Sequence, residues 1–306
     1  HGQAAYYLAA PLLALTDTAP DWMTTLRHAY TWLWFMVGVI ALYSLARGLG
    51  ASRPAACAAS LLLYLSPRFF AEGHYNNKDV VLLSLVLWMF AVGARMLREP
   101  TVRRAVFFSL AGALAANTKI VGALLWGLIG LTMLCTLLAR RQLNGKRLTA
   151  CLVAIGAFLI FYAALTPALW GDPSGFFAYV LGNATDFSRW TGVVLYKGAF
   201  YNPSRGLPLP HLYLPTMIAL TVPVFFLLLA ALGQVKAVIL CLRGDERRPL
   251  LVALTLSWLL PAAYVTVAQP LMYNGWRHFY FLYAGIAAMG ALGIRSEERR
   301  VGKECT

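Results

Sequence analysis

Charge is scarce in this chain, and its scarcity rules out an ordinary soluble domain. Only 12% of residues are charged against 60% hydrophobic, and mean hydropathy is +0.65. In such a chain a charge away from the cytoplasmic surface is costly and usually has a function. Cysteine is sparse as well. Cys57, Cys135, Cys151 and Cys241 lie in or beside apolar runs, with no Cys-x-x-Cys and no paired loop cysteines. That pattern excludes a visible disulfide framework and reads as buried structural thiols. Internal repeats and low-complexity tracts are also missing.

Long apolar runs dominate what is present. A bilayer core of about 30 Å needs roughly 20 apolar residues per helix. Runs at 29–46, 54–66, 80–94, 105–118, 120–139, 148–166, 216–242, 250–268 and 279–294 fit or nearly fit. Backbone groups in lipid must be satisfied within each segment, so about nine spans predict an all-α, polytopic transmembrane helical bundle. The short runs at 54–66 and 105–118 either borrow interfacial residues or meet a neighbour at a break within the membrane.

The basic residues orient the bundle. If 67–79 lies outside, alternation puts Arg47, Arg53, Arg95, Arg98, Arg103, Arg104, Arg140, Arg141, Lys146, Arg147, Lys236, Arg243, Arg247 and Arg248 on short inside connections. The outside segments then hold fewer cations over more loop: Arg27, Arg68, Lys78, Lys119, Arg189, Lys197, Arg205 and Arg277. This is the positive-inside bias. The net charge of +14 is therefore mainly topology, and span-end pairs of cations do not make a nucleic-acid surface.

Two regions stand apart from the spans. Ser66-Pro-Arg-Phe-Phe-Ala-Glu-Gly-His-Tyr-Asn-Asn-Lys-Asp79 reads as a short polar loop between apolar runs, dense in Arg68, Glu72, His74, Lys78 and Asp79. The longest non-spanning segment, 167–215, carries a candidate amphipathic helix over 175–187 and many aromatic residues. Such content predicts a folded loop and amphipathic-helix layer on the outer face. Tyr6–Leu15, interrupted by Pro11, suits an interfacial helix. Residues 295–306 follow an apolar helix abruptly and resemble the conceptual translation of a common sequencing adapter. The expectation is a functional domain over 1–294, truncated at its N-terminal side, with a non-native tail over 295–306.

Four stretches together resemble the GT-C membrane glycosyltransferases of the protein O-mannosyltransferase and aminoarabinose-transferase type. They are His1-Gly-Gln-Ala-Ala-Tyr-Tyr, Ser66-Pro-Arg-Phe-Phe with Asn76-Asn-Lys-Asp79, Ala111-Gly-Ala-Leu-Ala-Ala-Asn-Thr-Lys-Ile-Val-Gly122, and Tyr213-Leu-Pro-Thr with Gly275-Trp-Arg-His-Phe-Tyr280. The second is the most specific, and the likeness covers nearly all of 1–294. It implies transfer of a sugar from a polyprenyl-phosphate donor to a lipid, glycan or protein acceptor on the non-cytoplasmic face. The implied setting is a bacterial inner membrane with the site on the periplasmic side. The family's principal catalytic acid lies in a first outer loop, upstream of the His1 region, so this chain is expected to lack it.

The implied chemistry assigns candidates. Displacement at an anomeric carbon with a lipid-phosphate leaving group needs cations aimed at the phosphate, and an acceptor needs a carboxylate base. Asp79 is the catalytic candidate, with an N-terminal helix cap as its structural alternative. Lys78, Lys119, Arg277 and His278 are the phosphate-binding candidates, against snorkelling or structural pairing. No cofactor is specified. A divalent metal could assist the phosphate, with Glu72 and His74 as weak ligands at no recognised metal spacing. Arg189, Lys197 and Arg205 read as solvated, and Asp172 as a turn or cap residue. A multispan transporter or flippase of a lipid-linked or small polar substrate is the alternative, but matching broken helices in two halves are not seen. A non-catalytic membrane subunit is the third reading.

Overall fold

The computed structural model describes residues 4–14, 20–185, 190–273 and 275–304. A 3-10 turn, Ala4–Ala9, leads into the short α1 (Ala10–Ala14) and then α2 (Pro20–Gly48). Helix α2 begins well before residue 29, where the apolar run begins. It is followed by α3 (Arg53–Tyr64), α4 (Pro67–Tyr75), α5 (Asp79–Arg98), α6 (Val102–Thr118), α7 (Val121–Ala139) and α8 (Gly145–Ala164). The segment beyond holds α9 (Ala168–Gly171) and α10 (Pro173–Thr185). After a small hairpin come α11 (Tyr213–Thr221), α12 (Val224–Leu242), α13 (Arg248–Ala268) and α14 (Leu282–Glu304).

Six helices are long and apolar enough to cross a membrane: α2 from Trp22, α5, α7, α8, α12 and α13. The fold is thus a nearly all-α bundle of an integral membrane protein. The other three apolar runs differ from the six for local reasons. The run at 54–66 ends because Pro67 has no N–H and its ring would meet the carbonyl four residues back. Helices α3 and α4 therefore form a pair bent by 65°. Helix α6 is 17 residues long and carries Arg103 and Arg104 in its first turn. The last apolar stretch is shorter, Leu282–Ile294, although α14 itself runs on to Glu304, into the tail expected to be foreign.

Side-chain caps set several of these starts. Ser52 Oγ accepts from Ala55 N, Thr101 Oγ1 from Arg104 N and Asn144 Oδ1 from Arg147 N, filling otherwise orphaned first-turn donors. Helix α5 is the most enclosed span, with Val80 to Leu87 buried on every face. It packs on α2 and α6, while α12 packs on α14. The α12–α14 contact is close because two glycines face backbone. A Cβ on Gly233 would strike the Met289 carbonyl, and one on Gly293 that of Leu229. Cys57 and Cys135 are exposed on the bundle's outer faces, so the expectation of buried thiols fails for them.

One expectation about the connections needs correction. Residues 66–79 are not a loop: most of the stretch is α4, started by Pro67 at a position where its missing N–H costs nothing. The 167–215 segment holds a small hairpin beside its helices. Val194–Tyr196 (β1) and Ala199–Tyr201 (β2) pair antiparallel, Leu195 opposite Phe200. The turn residues Lys197 and Gly198 have φ of 51° and 79°, the positive pair a tight hairpin turn requires. The helix expected over 175–187 is α10, Pro173–Thr185, which starts two residues earlier; 186 and 187 lie outside the described residues.

Candidate functional site

Helix α5 opens on the first residue of the site. Lys78 stands at its N-cap without a side-chain cap bond, and Asn76 supplies the cap instead. Asn76 Oδ1 accepts from Asp79 N at 2.9 Å and from Lys78 N at 3.4 Å. This places the Asp79 carboxylate at the positive end of a 20-residue apolar helix.

Lys119 reaches Asp79 from the break between α6 and α7, where its backbone is extended (φ −149°, ψ 140°). Its Nζ forms an ion pair with Asp79 Oδ1. The side chains are 15% and 7% exposed, so the pair is largely withdrawn from water. Removing one partner from such a pair strands the other charge. Arg277 arrives from a 3-10 turn, Arg277–Phe279, between α13 and α14. Its Nε lies 4.0 Å from Asp79 Oδ2, and its guanidinium sits over the Tyr273 ring at 5.1 Å. Arg277 Nε and His278 Nε2 are both buried with no hydrogen-bond partner among the described residues.

A second carboxylate backs the first. Glu72 accepts from Arg68 Nε at 2.8 Å, from the Tyr280 hydroxyl at 2.6 Å and from Asn76 Nδ2 at 2.6 Å. The same Asn76 Nδ2 is 3.3 Å from Asp79 Oδ2. One amide thus joins two buried acids, and the polar chain runs from α4 through α5 to the start of α14. Arg68 Nε also donates to the Tyr280 hydroxyl at 2.5 Å. Burial, followed by the bond to Glu72, raises the Tyr280 hydroxyl above the usual phenol range.

These groups line one cavity of about 1070 Å³. Its polar lining holds Arg68, Glu72, Asn76, Lys78, Asp79, Lys119, Arg277 and His278. Apolar residues complete the lining: Ile120, Val121 and Leu124 from α7 and its approach, Leu260, Pro261 and Tyr264 from α13, with Leu271 and Phe281. Leu124, Leu260 and Tyr264 are exposed. Burial first, then the Lys119 charge, holds His278 well below the usual imidazole value, which makes it neutral near pH 7. The same two causes lower the Lys78 ammonium.

All five catalytic and phosphate-binding candidates, Asp79, Lys78, Lys119, Arg277 and His278, line this cavity. The metal candidates are not brought together. Glu72 is occupied by Arg68, Tyr280 and Asn76, while His74 Nδ1 pairs with the Phe70 carbonyl at 2.9 Å and is absent from the cavity wall. Among the described residues no group of three His, Cys, Asp or Glu could hold a metal. Lys197 is in the hairpin turn, over the Tyr196 ring, and Asp172 caps Gly175 N at 2.9 Å. Hydrogen bonds from Gly175 and Ser174 lower the Asp172 carboxyl. Arg189 and the His1 motif residues 1–3 lie outside the described residues.

Sequence reasoning named none of Asn76, Tyr280 and Tyr273 as site residues. Asn76 had a signal: an Asn three residues before an acid that opens an apolar run is a capping pattern. Tyr280 and Tyr273 had none, because their partners are distant in sequence. Trp190 also joins this end, stacking on Tyr273 with centroids 4.7 Å apart and planes at 8°.

Fold and site define a class: a polytopic helical membrane protein with an acid–base cluster in a half-apolar cavity at one end of the bundle. Comparison with protein-family models, with curated proteins and with solved structures found no match to this chain.

Proposed function

We propose that the protein is a glycosyltransferase of the GT-C type that takes a sugar from a polyprenyl-phosphate donor. The observation that carries this reading is the mixed lining of the cavity. Cations gather around Asp79, and α7 and α13 add the exposed apolar residues Leu124, Leu260 and Tyr264 to the same lining. A lipid phosphate needs both, an electropositive seat for its head and a dry trough for its chain.

In the transfer, the bond between the anomeric carbon and the phosphate oxygen breaks, and its electron pair stays on the phosphate. The acceptor oxygen or nitrogen bonds the anomeric carbon, and its proton passes to a carboxylate base, which the resemblance places in the family's first outer loop. Arg277, Lys119 and Lys78 stabilise the charge arriving on the phosphate. Asp79 holds Lys119 and Arg277 in register, and neutral His278 donates one hydrogen bond. We assign the cavity to the non-cytoplasmic face of a bacterial inner membrane. The six spans, the bent α3–α4 pair, α6 and the Leu282–Ile294 stretch then make nine crossings.

The test is sugar transfer from a labelled polyprenyl-phosphate donor by membranes containing the protein. Asp79→Asn and Arg277→Ala should each lower turnover about 10²–10³-fold with expression retained. Full activity in both variants would refute the assignment.

A further inference from the structure

The charges lining the cavity do not cancel, and their imbalance predicts which form of a lipid phosphate it holds best. Six charged residues contribute, Arg68, Lys78, Lys119 and Arg277 against Glu72 and Asp79. Glu72 is matched by Arg68 at 2.8 Å, and Asp79 by Lys119. Lys78 forms no ion pair among the described residues, and Arg277 stands off from Asp79 at 4.0 Å with its buried Nε unbonded. Two positive charges therefore remain for a ligand, and because Lys78 is exposed and the Arg277 side chain 34% exposed, salt screens their attraction in part.

A sugar-linked lipid phosphate is a diester and carries one negative charge. The carrier left after transfer is a monoester, with a second ionisation near pH 6 and close to two charges above neutrality. We infer that the cavity is matched to the dianionic monoester, so that it binds the spent carrier more tightly than the loaded donor. This inference rests on the lipid-phosphate reading of the site. It has a physical logic, since stabilisation that grows as charge moves onto the leaving phosphate lowers the barrier, whereas equal binding of donor and product does not. The consequence is self-inhibition. The spent carrier occupies the site until it leaves, and its departure limits turnover.

The experiment compares three soluble analogues binding to the full 306-residue chain in detergent at pH 8 and low salt. They are farnesyl phosphate, its methyl diester and farnesol, followed by calorimetry. Farnesyl phosphate should bind at least about tenfold more tightly than the diester, and the gap should shrink as salt rises. Lys78→Gln and Arg277→Gln should each narrow the gap, Lys78→Arg should preserve it, and Lys197→Gln in the hairpin turn, which is not part of the cavity lining, should leave it unchanged. Circular dichroism checks that each variant keeps its helix content. Monoester and diester binding equally in a folded chain would overturn this inference but leave the lipid-phosphate reading standing. Farnesol binding as well as both would overturn the two together.

Discussion

The two ends of the bundle handle charge in opposite ways. At the cavity end, beside the local Arg68–Glu72 pair, ion pairs join residues far apart in sequence, Lys119 to Asp79 and Arg277 to Asp79, and the carboxylates are buried. At the other end, the pairs are local. Arg247 binds Asp245 at 2.6 Å and Arg104 binds Glu99 at 2.7 Å. Glu99 is 64% exposed there, and Arg98, Asp245, Glu246 and Arg247 line a smaller cavity of about 420 Å³. The long-range contacts of arginines at that end go to neutral groups, Arg247 Nη1 to the Leu49 carbonyl and Arg95 Nη2 to Ser44 Oγ at 3.1 Å. Cations at the arginine-rich end can orient the chain without long-range ion pairs. Those at the cavity end hold four chain segments in register around two acids.

The sharpest break in this comparison is accessibility. With the native cysteines replaced by serine, a cysteine at Asn77 should react with an impermeant maleimide added outside intact cells. One at Gln142 should react only after permeabilisation. The reverse pattern would invert the proposed orientation.

Stability should separate the ends next. Glu72→Ala removes the buried acceptor shared by Arg68, Tyr280 and Asn76 and should cost about 1–3 kcal/mol. Glu99→Ala should cost about 0–1 kcal/mol, because its pair is largely solvated. Denaturant titration in detergent measures both, and equal losses would erase the distinction. Asn76→Ala removes a helix cap and the link between two carboxylates, and should cost about 1–2 kcal/mol in the same titration.

The smallest effect is a pH dependence confined to the cavity. The folded state disfavours protonated His278, which faces Lys119, Asp79, Arg277 and Lys78. Its contribution is therefore fully present above the usual imidazole value of about 6.5 and is lost as pH falls below it. His278→Gln should flatten this acid limb of the melting temperature, and an unchanged profile would remove His278 from it.

Much of the bundle was legible because apolar length and basic flanks are local signals. The six qualifying helices all coincide with apolar runs, and the arginines cluster at shared connections. Contact geometry was less legible. The sequence marks Asp79 and Lys119 as uncomfortable charges, but their pairing depends on how α5 meets the break after α6. Tyr280 was invisible because its partner Glu72 lies 208 positions away. The hairpin was missed because three-residue strands carry too little alternation to register, although Lys197-Gly198 is a turn signal. Residues 66–79 misled because a polar helix lying across the end of a bundle has the composition of a loop.

The elbow between α3 and α4 also bears on the surrounding bilayer. Helix α3 starts at the arginine-rich end and has 12 residues, enough to rise about 18 Å before the 65° bend. A hydrocarbon core is about 30 Å thick, so α4 turns aside below the level that the full-length spans reach. Phe70 and Tyr75 are exposed on α4, while Glu72 is turned inward. Lipids beside this elbow face a wall too short for them, and they must thin or tilt to match it. A thinner bilayer beside this elbow would bring its water boundary nearer to the α4 residues Arg68 and Glu72, which line the cavity.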